Sequence, residues 1–476
     1  MSAHPSQAPF NDRVKAALAN VTLQRALEKF KTNFMVLRAN AVRDLPEFEE
    51  IRSHARAMKD HTLAHIDLYI EAYEKKVVES GGHVHYAPDA AAARELVLEI
   101  CRRHGARTVT KGKSMASEEI ALGAYLQANG IEAIETDLGE YIIQLRGETP
   151  SHIVAPSIHV TKDQVAEDFL RVHQSFPPER DLTEPRSLLA EARLVLREKF
   201  LAADVGITGA NCLIAETGSS LIVTNEGNGD LTQTLPRVHI VIASFEKIVP
   251  TLNDAMQIVR LLPRSANGQD TTVYTSISTG PRQQGDPDGP QEYHVVLLDN
   301  GRSGMLATDF REALRCIRCG ACMNHCPVYQ AIGGHAYEAV YPGPIGAVMT
   351  PLIAGLESSR DLPNASTFCG RCESVCPMQI PLPKLMRHWR TEEFSRHLTP
   401  VRQRWGIKLW AAVARQPLLY RLATVLAIRL GGLFGRKGRF QRLPLAASWS
   451  DWRDFPAPEG DTFQSRWARR QSGTKP

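Results

Sequence analysis

The chain has 476 residues, 43% of them hydrophobic and 23% charged. That is a length for about two to four domains, and the composition excludes large-scale disorder. Its net charge of +4 hides a segregation: from Leu398 onward there are fifteen Lys and Arg against four Asp and Glu, and before it 41 against 48. The polar stretch Met1 to Lys15 lacks the apolar core of a secretory signal, and no run of about 18 uncharged apolar residues predicts a membrane-spanning helix. The cytoplasm is the expected compartment.

Residues 11 to 80 read as helical, with Leu63, Ile66, Ile70 and Tyr73 at helical spacing and Gly81-Gly82 as the stop. A different rhythm follows. His83 to Tyr86 is a strand candidate. Asp89 can cap a helix through His104, stopped by Gly105. Thr108 to Thr110 is the next strand. Ser114 or Ser117 starts a helix ending at Gly130, and Ile131 to Glu135 is again strand-like. This β-α-β-α-β order predicts a parallel sheet covered by helices. After a helical stretch around Leu188 to Leu201, Cys212 to Ala215 and Leu221 to Thr224 are strands flanking the turn Thr217-Gly218-Ser219-Ser220. Val238 to Ala243 is a strand, Glu246 to Leu262 a helix, and Thr272 to Ser278 a strand. Gly280 to Pro290 reads as a loop, and Glu292 to Leu298 as the last strand. A linker is expected at Asn300 to Thr308. The expected domains are 1–65 (helical), 66–300 (α/β), 301–390 (cysteine-rich) and 391–476 (basic and Trp-rich).

Of nine cysteines, Cys101 and Cys212 stand alone and read as small buried apolar residues. The other seven form two motifs. Cys316-x2-Cys319-x2-Cys322-x3-Cys326-Pro327 has the spacing of a bacterial ferredoxin run. Three thiolates two residues apart can wrap one cluster, while the fourth, one residue further on and stiffened by Pro327, points toward a second. Gly320 lets the backbone approach the inorganic sulfides. Zinc would need two paired CxxC knuckles and leaves the third cysteine and the proline unexplained. The second motif, Cys369-x2-Cys372-x3-Cys376-Pro377, matches the last three cysteines of the first, with Ser366 where the leading cysteine would stand. Crossed ligation assigns Cys316, Cys319, Cys322 and Cys376 to a [4Fe-4S] cluster. Cys326, Cys369 and Cys372 remain for a second, which is then a [3Fe-4S] cluster, a [4Fe-4S] cluster with a non-cysteine ligand such as Ser366, or one with an iron open to an external ligand. The 42 residues between Cys326 and Cys369, with helix-compatible stretches at Ala336 to Tyr341 and Ile345 to Leu356, suggest an all-helical ferredoxin module.

Four further stretches narrow the reading: Thr110-Lys111-Gly112-Lys113-Ser114-Met115, Glu135-Thr136-Asp137-Leu138-Gly139-Glu140, Ser151-His152-Ile153-Val154-Ala155-Pro156 and Ala215-Glu216-Thr217-Gly218. They resemble the lactate-utilisation (LUD) domain. With the cysteine motifs and the basic tail, roughly residues 65 to 470 resemble the lactate utilization protein B family. The resemblance implies an α/β LUD domain related to the ribose-phosphate isomerase and CoA-transferase fold. It also implies an iron–sulfur electron-transfer subunit of a bacterial complex oxidising L-lactate to pyruvate. Its implied partners are a cysteine-rich subunit and a second, cluster-free LUD protein. The competing reading is a transferase- or isomerase-like LUD enzyme whose clusters are structural or regulatory.

Within the LUD segment Glu216, placed at a strand end, is the candidate catalytic base or nucleophile. Lys111 and Lys113 are candidate anion ligands, His152 and His159 candidate proton carriers, and Asp137 and Glu140 turn and cap residues. The tail mixes Trp405, Leu409, Trp410 and Leu418 to Leu430 with six basic residues from Arg402 to Arg429. It can dock on a partner or on its own chain, or lie peripherally on an anionic membrane surface; no nucleic-acid reading motif accompanies it.

Overall fold

The computed structural model describes residues 8–434, 438–440 and 454–473. The first seven residues of the polar amino-terminal stretch, and Trp449 and Trp452 of the tail, lie outside them. The chain divides after Thr391 into two compact units.

In the first unit, ten strands build two sheets. They are β1 (His83–Ala87), β2 (Thr108–Gly112), β3 (Glu132–Glu135), β4 (Val205–Thr208), β5 (Cys212–Ile214), β6 (Ser219–Thr224), β7 (Val238–Ser244), β8 (Ile248–Val249), β9 (Tyr274–Ser278) and β10 (Glu292–Leu298). The main sheet is wholly parallel, in the order β1-β10-β7-β4-β2-β3. The second sheet runs β8-β5-β6-β9, with β5–β6 an antiparallel hairpin. Burial on both faces explains the continuous apolar run of β7. One face of the main sheet packs on helices Ala90–Arg103 and Leu122–Ala128, and Cys101 is fully buried there. The other meets helix Ile66–Glu79 through Tyr73 and Val77. Cys212 is also fully buried.

Side-chain caps set several helix starts. Asp89 accepts the Ala92 N–H, and Gly105 turns left-handed (φ +62°) after the helix. Three expectations need correction. The helix expected from Ser114 to Gly130 is broken, because Ala121 takes φ +50° between Met115–Glu119 and Leu122–Ala128. Strand β4 was not expected: four buried residues including a glycine are too short a signal. Glu246 does not begin a helix. A 3-10 turn (Phe245–Lys247) and β8 come first, and the helix is Leu252–Ala266, started by a capping box between Thr251 and Asp254.

The cysteine-bearing segment follows within the same unit. Between residues 301 and 391 the described regular elements are helical turns and helices, among them Ala321–Asn324, Gly343–Ala354 and Arg371–Ser374. The stretch Ala336 to Tyr341 forms no helix beyond the 3-10 turn His335–Tyr337, because Glu338 turns left-handed (φ +46°).

Asn300 to Thr308, expected as a linker, is fixed in place. The Arg302 side chain is 1% exposed and meets Glu119 through two bonds (2.6 and 2.9 Å) and Glu246 through one (3.2 Å). Tyr341 donates to Glu119 (2.6 Å), and Arg318 reaches Glu246 (3.2 Å). Burial opposes ionisation, but Arg302 and Arg318 hold the Glu246 carboxyl down at about 2.

The second unit holds helices Val401–Ala414, Pro417–Phe434 and Phe463–Gln471, with Trp405, Leu409, Trp410 and Leu422 each about two-thirds exposed. No helix among the described residues is long and apolar enough to cross a membrane.

Removing one partner of a buried ion pair leaves the other charge stranded, at a cost of about 3–5 kcal/mol. Arg302→Met strips Glu119 of its paired guanidinium and leaves Glu246 with Arg318 alone. We expect a loss of that size in urea unfolding of the full chain, against less than about 1 kcal/mol for exposed Lys15→Met.

Candidate functional site

The two cysteine motifs share one backbone design, offset by 50 residues. Arg318 and Phe368, each just before a cysteine, have φ of +61° and +54°; Gly320 and Gly370, each just after, have +73° and +80°. Short helices follow each glycine, Ala321–Asn324 and Arg371–Ser374. The Asn324 N–H donates to Gly320 O and the Ser374 N–H to Gly370 O, both at 3.1 Å. Left-handed glycine makes this tight reversal without a Cβ penalty.

The reversals place the cysteines around two cavities. Cys316, Cys319, Cys322 and Cys376 line one, together with Ile153, Arg318 and Ile345. Cys326, Cys369 and Cys372 line the other, together with Ser366. The volumes, about 360 and 320 Å³, are close enough for both to accept a group of one size. None of the seven cysteines is in a disulfide.

The donor chemistry fits an iron–sulfur group. Burial and neighbouring thiols push Cys319 up to about 12, and burial pushes Cys372 to about 12 and Cys376 to about 11. Such thiols give up their protons only to a cation that replaces them. Backbone N–H groups already point at sulfur: Arg318 N donates to Cys316 Sγ (3.4 Å) and Ile380 N to Cys376 Sγ (3.5 Å). Arg318 Nη1 is buried beside the first cavity with no protein partner, a donor suited to an anionic group.

Two of the LUD stretches converge nearby, at the carboxyl ends of β2 and β3, where an open α/β sheet places its ligand sites. Lys111 is 2% exposed, wedged between Glu118 (2.9 Å) and Glu135. Lys113 has φ +41° and pairs with Asp137 (3.1 Å), which also caps helix Leu138–Arg146. Glu140 is not the cap expected of it. It is 8% exposed, its Oε2 has no hydrogen-bond partner, and it lines two cavities. The larger, about 1170 Å³ with its open mouth, also holds Lys111, Glu118 and Glu135. The other runs from Lys113 and Asp137 to Ile153 and Arg318, which also line the first cysteine cavity. Burial pushes Glu135 up to about 7, and burial with Glu135 and Asp137 nearby drives Glu140 well above the usual carboxylate range.

His152 is a fixed structural group. Its Nδ1 accepts the N–H groups of Val154 and Ala155 (3.0 Å each), and its Nε2 donates to Asn324 in the first cysteine loop (2.8 Å). Burial lowers it to about 4, so it stays neutral. His159 lies between Glu148 and Ser151, at 2.7 Å from each. Glu216 sits elsewhere. It is exposed in the turn of the β5–β6 hairpin, not at the end of a parallel strand, and accepts the Leu252 N–H (3.0 Å) at the start of helix Leu252–Ala266. The long-range groups Glu119, Glu246, Arg302 and Arg318 carried no local signal in the sequence.

Family models match three segments: LUD domain over residues 70–298, 4Fe-4S dicluster domain over 312–380, and Lactate utilisation protein B, C-terminal, over 395–472. Lactate utilization protein B of Geobacillus thermodenitrificans is 41% identical, with 98% of each chain covered. That of Shouchella clausii is 41% identical over 98% of each chain. An uncharacterized electron transport protein, YkgF, of Escherichia coli is 39% identical over all of this chain and 99% of its own. Among solved structures, a duf162 family protein from Deinococcus radiodurans aligns with 49% of this chain and 98% of its own, at 12% identity and a TM-score of 0.28.

Glu140 supplies a pH test. Its folded pKa lies above its unfolded value near 4.5, so the native state binds the extra proton and stability falls as pH rises above 4.5. Glu140→Gln removes that dependence. We expect the variant's Tm to gain on the wild type's between about pH 5 and about pH 8, measured by calorimetry. Parallel Tm profiles would place the ionised form of Glu140 in a solvated setting.

Proposed function

The chain belongs to the lactate utilization protein B family, and from that premise we propose that it is the electron-transfer subunit of a complex oxidising L-lactate to pyruvate. The observation that carries this reading is the pair of adjacent cysteine cavities: Cys322 and Cys326, four residues apart, face different cavities. A [4Fe-4S] cluster, when bound, takes up and releases one electron. This chain's residues would set the path. Three buried cysteines and the half-buried Cys316 would hold the first group against the LUD domain, and Cys369, the exposed cysteine of the seven, would bring the second toward solvent. No Gly-x-Gly-x-x-Gly dinucleotide fingerprint was found in the sequence, so the two-electron step is assigned to another subunit.

In this reading Cys316, Cys319, Cys322 and Cys376 ligate the first cluster, and Cys326, Cys369 and Cys372 the second. Ser366 completes the second as its fourth ligand. The support is the 50-residue offset, which maps Cys316 onto Ser366. Arg318 N donates to Cys316 Sγ at 3.4 Å, and Phe368 N donates to Ser366 Oγ at 3.2 Å. The serine oxygen thus holds the sulfur's place in the loop, and its proton would pass to water as the iron–oxygen bond forms. Arg390 braces the segment, donating to Pro363 O (3.0 Å) and Ser366 O (3.3 Å) and lying over the Phe368 ring.

A cysteine-rich subunit and a cluster-free LUD protein are the proposed partners. The exposed tryptophans and leucines of residues 401–434 are the proposed docking surface, with peripheral contact to the inner face of the cytoplasmic membrane as the second possibility. Flotation with and without residues 398–476 separates the two. A second reading, a transferase- or isomerase-like LUD enzyme related to the CoA-transferase fold, draws support from the buried Lys111, Glu135 and Glu140 at the strand ends.

Anaerobic co-purification with the neighbouring gene products, then addition of L-lactate, should bleach the clusters; acyl-CoA turnover by the isolated chain with no lactate bleaching would overturn the assignment. In the same assay Glu216→Gln should retain full activity if Glu216 only caps a helix, whereas a loss of about a hundredfold would make it a catalytic group. Ser366→Ala should lose one iron per chain on mild oxidation and give the EPR signal of a [3Fe-4S] cluster, while Ser366→Cys should keep four irons. Identical spectra for wild type and Ser366→Ala would exclude the serine ligand.

A further inference from the structure

Besides the cysteines, two groups of three His and Glu side chains among the described residues have the spacing of a cation site. One of them is also braced as metal ligands are. We propose that Glu148, His159 and His335 bind a divalent transition-metal cation at the mouth of the large LUD cavity. One ligand atom of each lies within 4.8 Å of the others. Donors bound to one metal at about 2.0–2.2 Å sit roughly 3–3.5 Å apart, so closure needs shifts of roughly an ångström.

The supporting bonds make the case. Ligating histidines almost always give their other ring nitrogen to a carboxylate, a carbonyl or water. Here His159 Nδ1 meets Ser151 Oγ (2.7 Å), which leaves Nε2 for the metal. His335 Nε2 donates to Thr149 O (2.7 Å), which leaves Nδ1 without a hydrogen bond. Arg146 holds Glu148 Oε1 (2.9 Å) and is itself held by Asp168 (2.7 Å), which leaves Oε2. His159 Nε2 and Glu148 Oε2 are hydrogen-bonded to each other at 2.7 Å, so the cation would replace the proton between them, with His335 Nδ1 as the third donor. Two imidazoles and one carboxylate, with no thiolate, suit Fe²⁺, Mn²⁺ or Zn²⁺ and leave coordination positions open. Glu148 and His335 line the LUD cavity, so an oxygen ligand entering it can reach those positions.

A Ser-His-Glu relay is the competing use of the same atoms. It fails at Ser151, which is 2% exposed and donates its hydroxyl to Pro156 O (3.1 Å), so it cannot meet a substrate. The other group, His104, Glu292 and His294, is braced at His294 alone, whose Nδ1 meets His85 Nε2 (3.1 Å).

The proposed site would join two parts of the fold. Glu148 and His159 end the loop whose His152 bonds Asn324 of the first cysteine loop and whose Ile153 lines the first cysteine cavity, while His335 belongs to the segment between the cysteine motifs. The inference does not depend on the lactate reading.

The test is Mn²⁺ titration of the full-length, cluster-loaded protein under anaerobic conditions, followed by the EPR signal of free Mn²⁺. The wild type should take up Mn²⁺ at a site that Glu148→Gln, His159→Ala and His335→Ala each weaken by about tenfold or more, with visible cluster absorbance unchanged as the check on folding. His104→Ala should leave that site intact. No uptake by the wild type at millimolar Mn²⁺, or equal uptake by all three variants, would overturn the proposal.

Discussion

The buried contact of Arg302 and Arg318 with Glu119 and Glu246 is the constraint on which the rest depends. Four charges from four chain segments meet with side-chain exposures of 1 to 8%. Glu119 ends a short helix of the LUD sheet, Glu246 lies just beyond β7, Arg302 sits where the α/β segment ends, and Arg318 stands between two cluster cysteines. Such a network stabilises only if every member is satisfied, because each lone charge is costly in a low dielectric. Tyr341 extends it from the insert, donating to Glu119 and lying under the Arg318 guanidinium at 4.0 Å, while Glu246 Oε2 and Arg318 Nη1 stay without a hydrogen-bond partner. The first cysteine loop is therefore clamped to the LUD domain by electrostatics that tolerate little displacement. That rigidity suits a redox site, where geometry that changes with charge slows electron transfer.

What the sequence displayed was local. Each strand and helix of the β and α rhythm, the Asp89 cap and the cysteine spacings is a short-range pattern, and each of these appears in the structure. The failures share one cause. Ala121 breaks a helix because neighbouring elements hold φ at +50°, and no local residue announces that. Strand β4 is four residues long and is a strand because β2 and β7 flank it. The segment Asn300 to Thr308 has the composition of a linker, yet Arg302 finds partners 56 and 183 residues away.

The candidate site divides in the same way. The cavity linings follow from cysteine spacing, and the position of Ser366 was legible because the second motif repeats the first. The roles of the LUD residues were not. Lys111 looked like an anion ligand and Glu140 like a cap residue, but β2 and the helix that follows β3 carry them to the buried end of the parallel sheet. Glu216 looked catalytic because a strand end precedes it; the following strand pairs back antiparallel and turns the position into an exposed hairpin. Local pattern reports what a residue can do, and sheet order decides which neighbours it does it with.

The repeat with offset 50 also bears on how the two cysteine cavities differ. Both loops use the same left-handed pair, before and after the leading CxxC cysteine, and both present an N–H to the atom two residues earlier. The scaffold is thus nearly symmetric, and the chemistry is not. The first cavity is closed by Ile153 and braced by Arg318, which shares its charge with Glu246. The second has oxygen in place of one sulfur and an exposed cysteine, with Arg390 bound to backbone carbonyls around it. Solvent exposure and ligand identity are the two levers that separate the potentials of otherwise similar clusters. With Ser366 as the proposed fourth ligand, a duplicated loop with one substituted ligand would give an electron path a direction while requiring only one backbone solution.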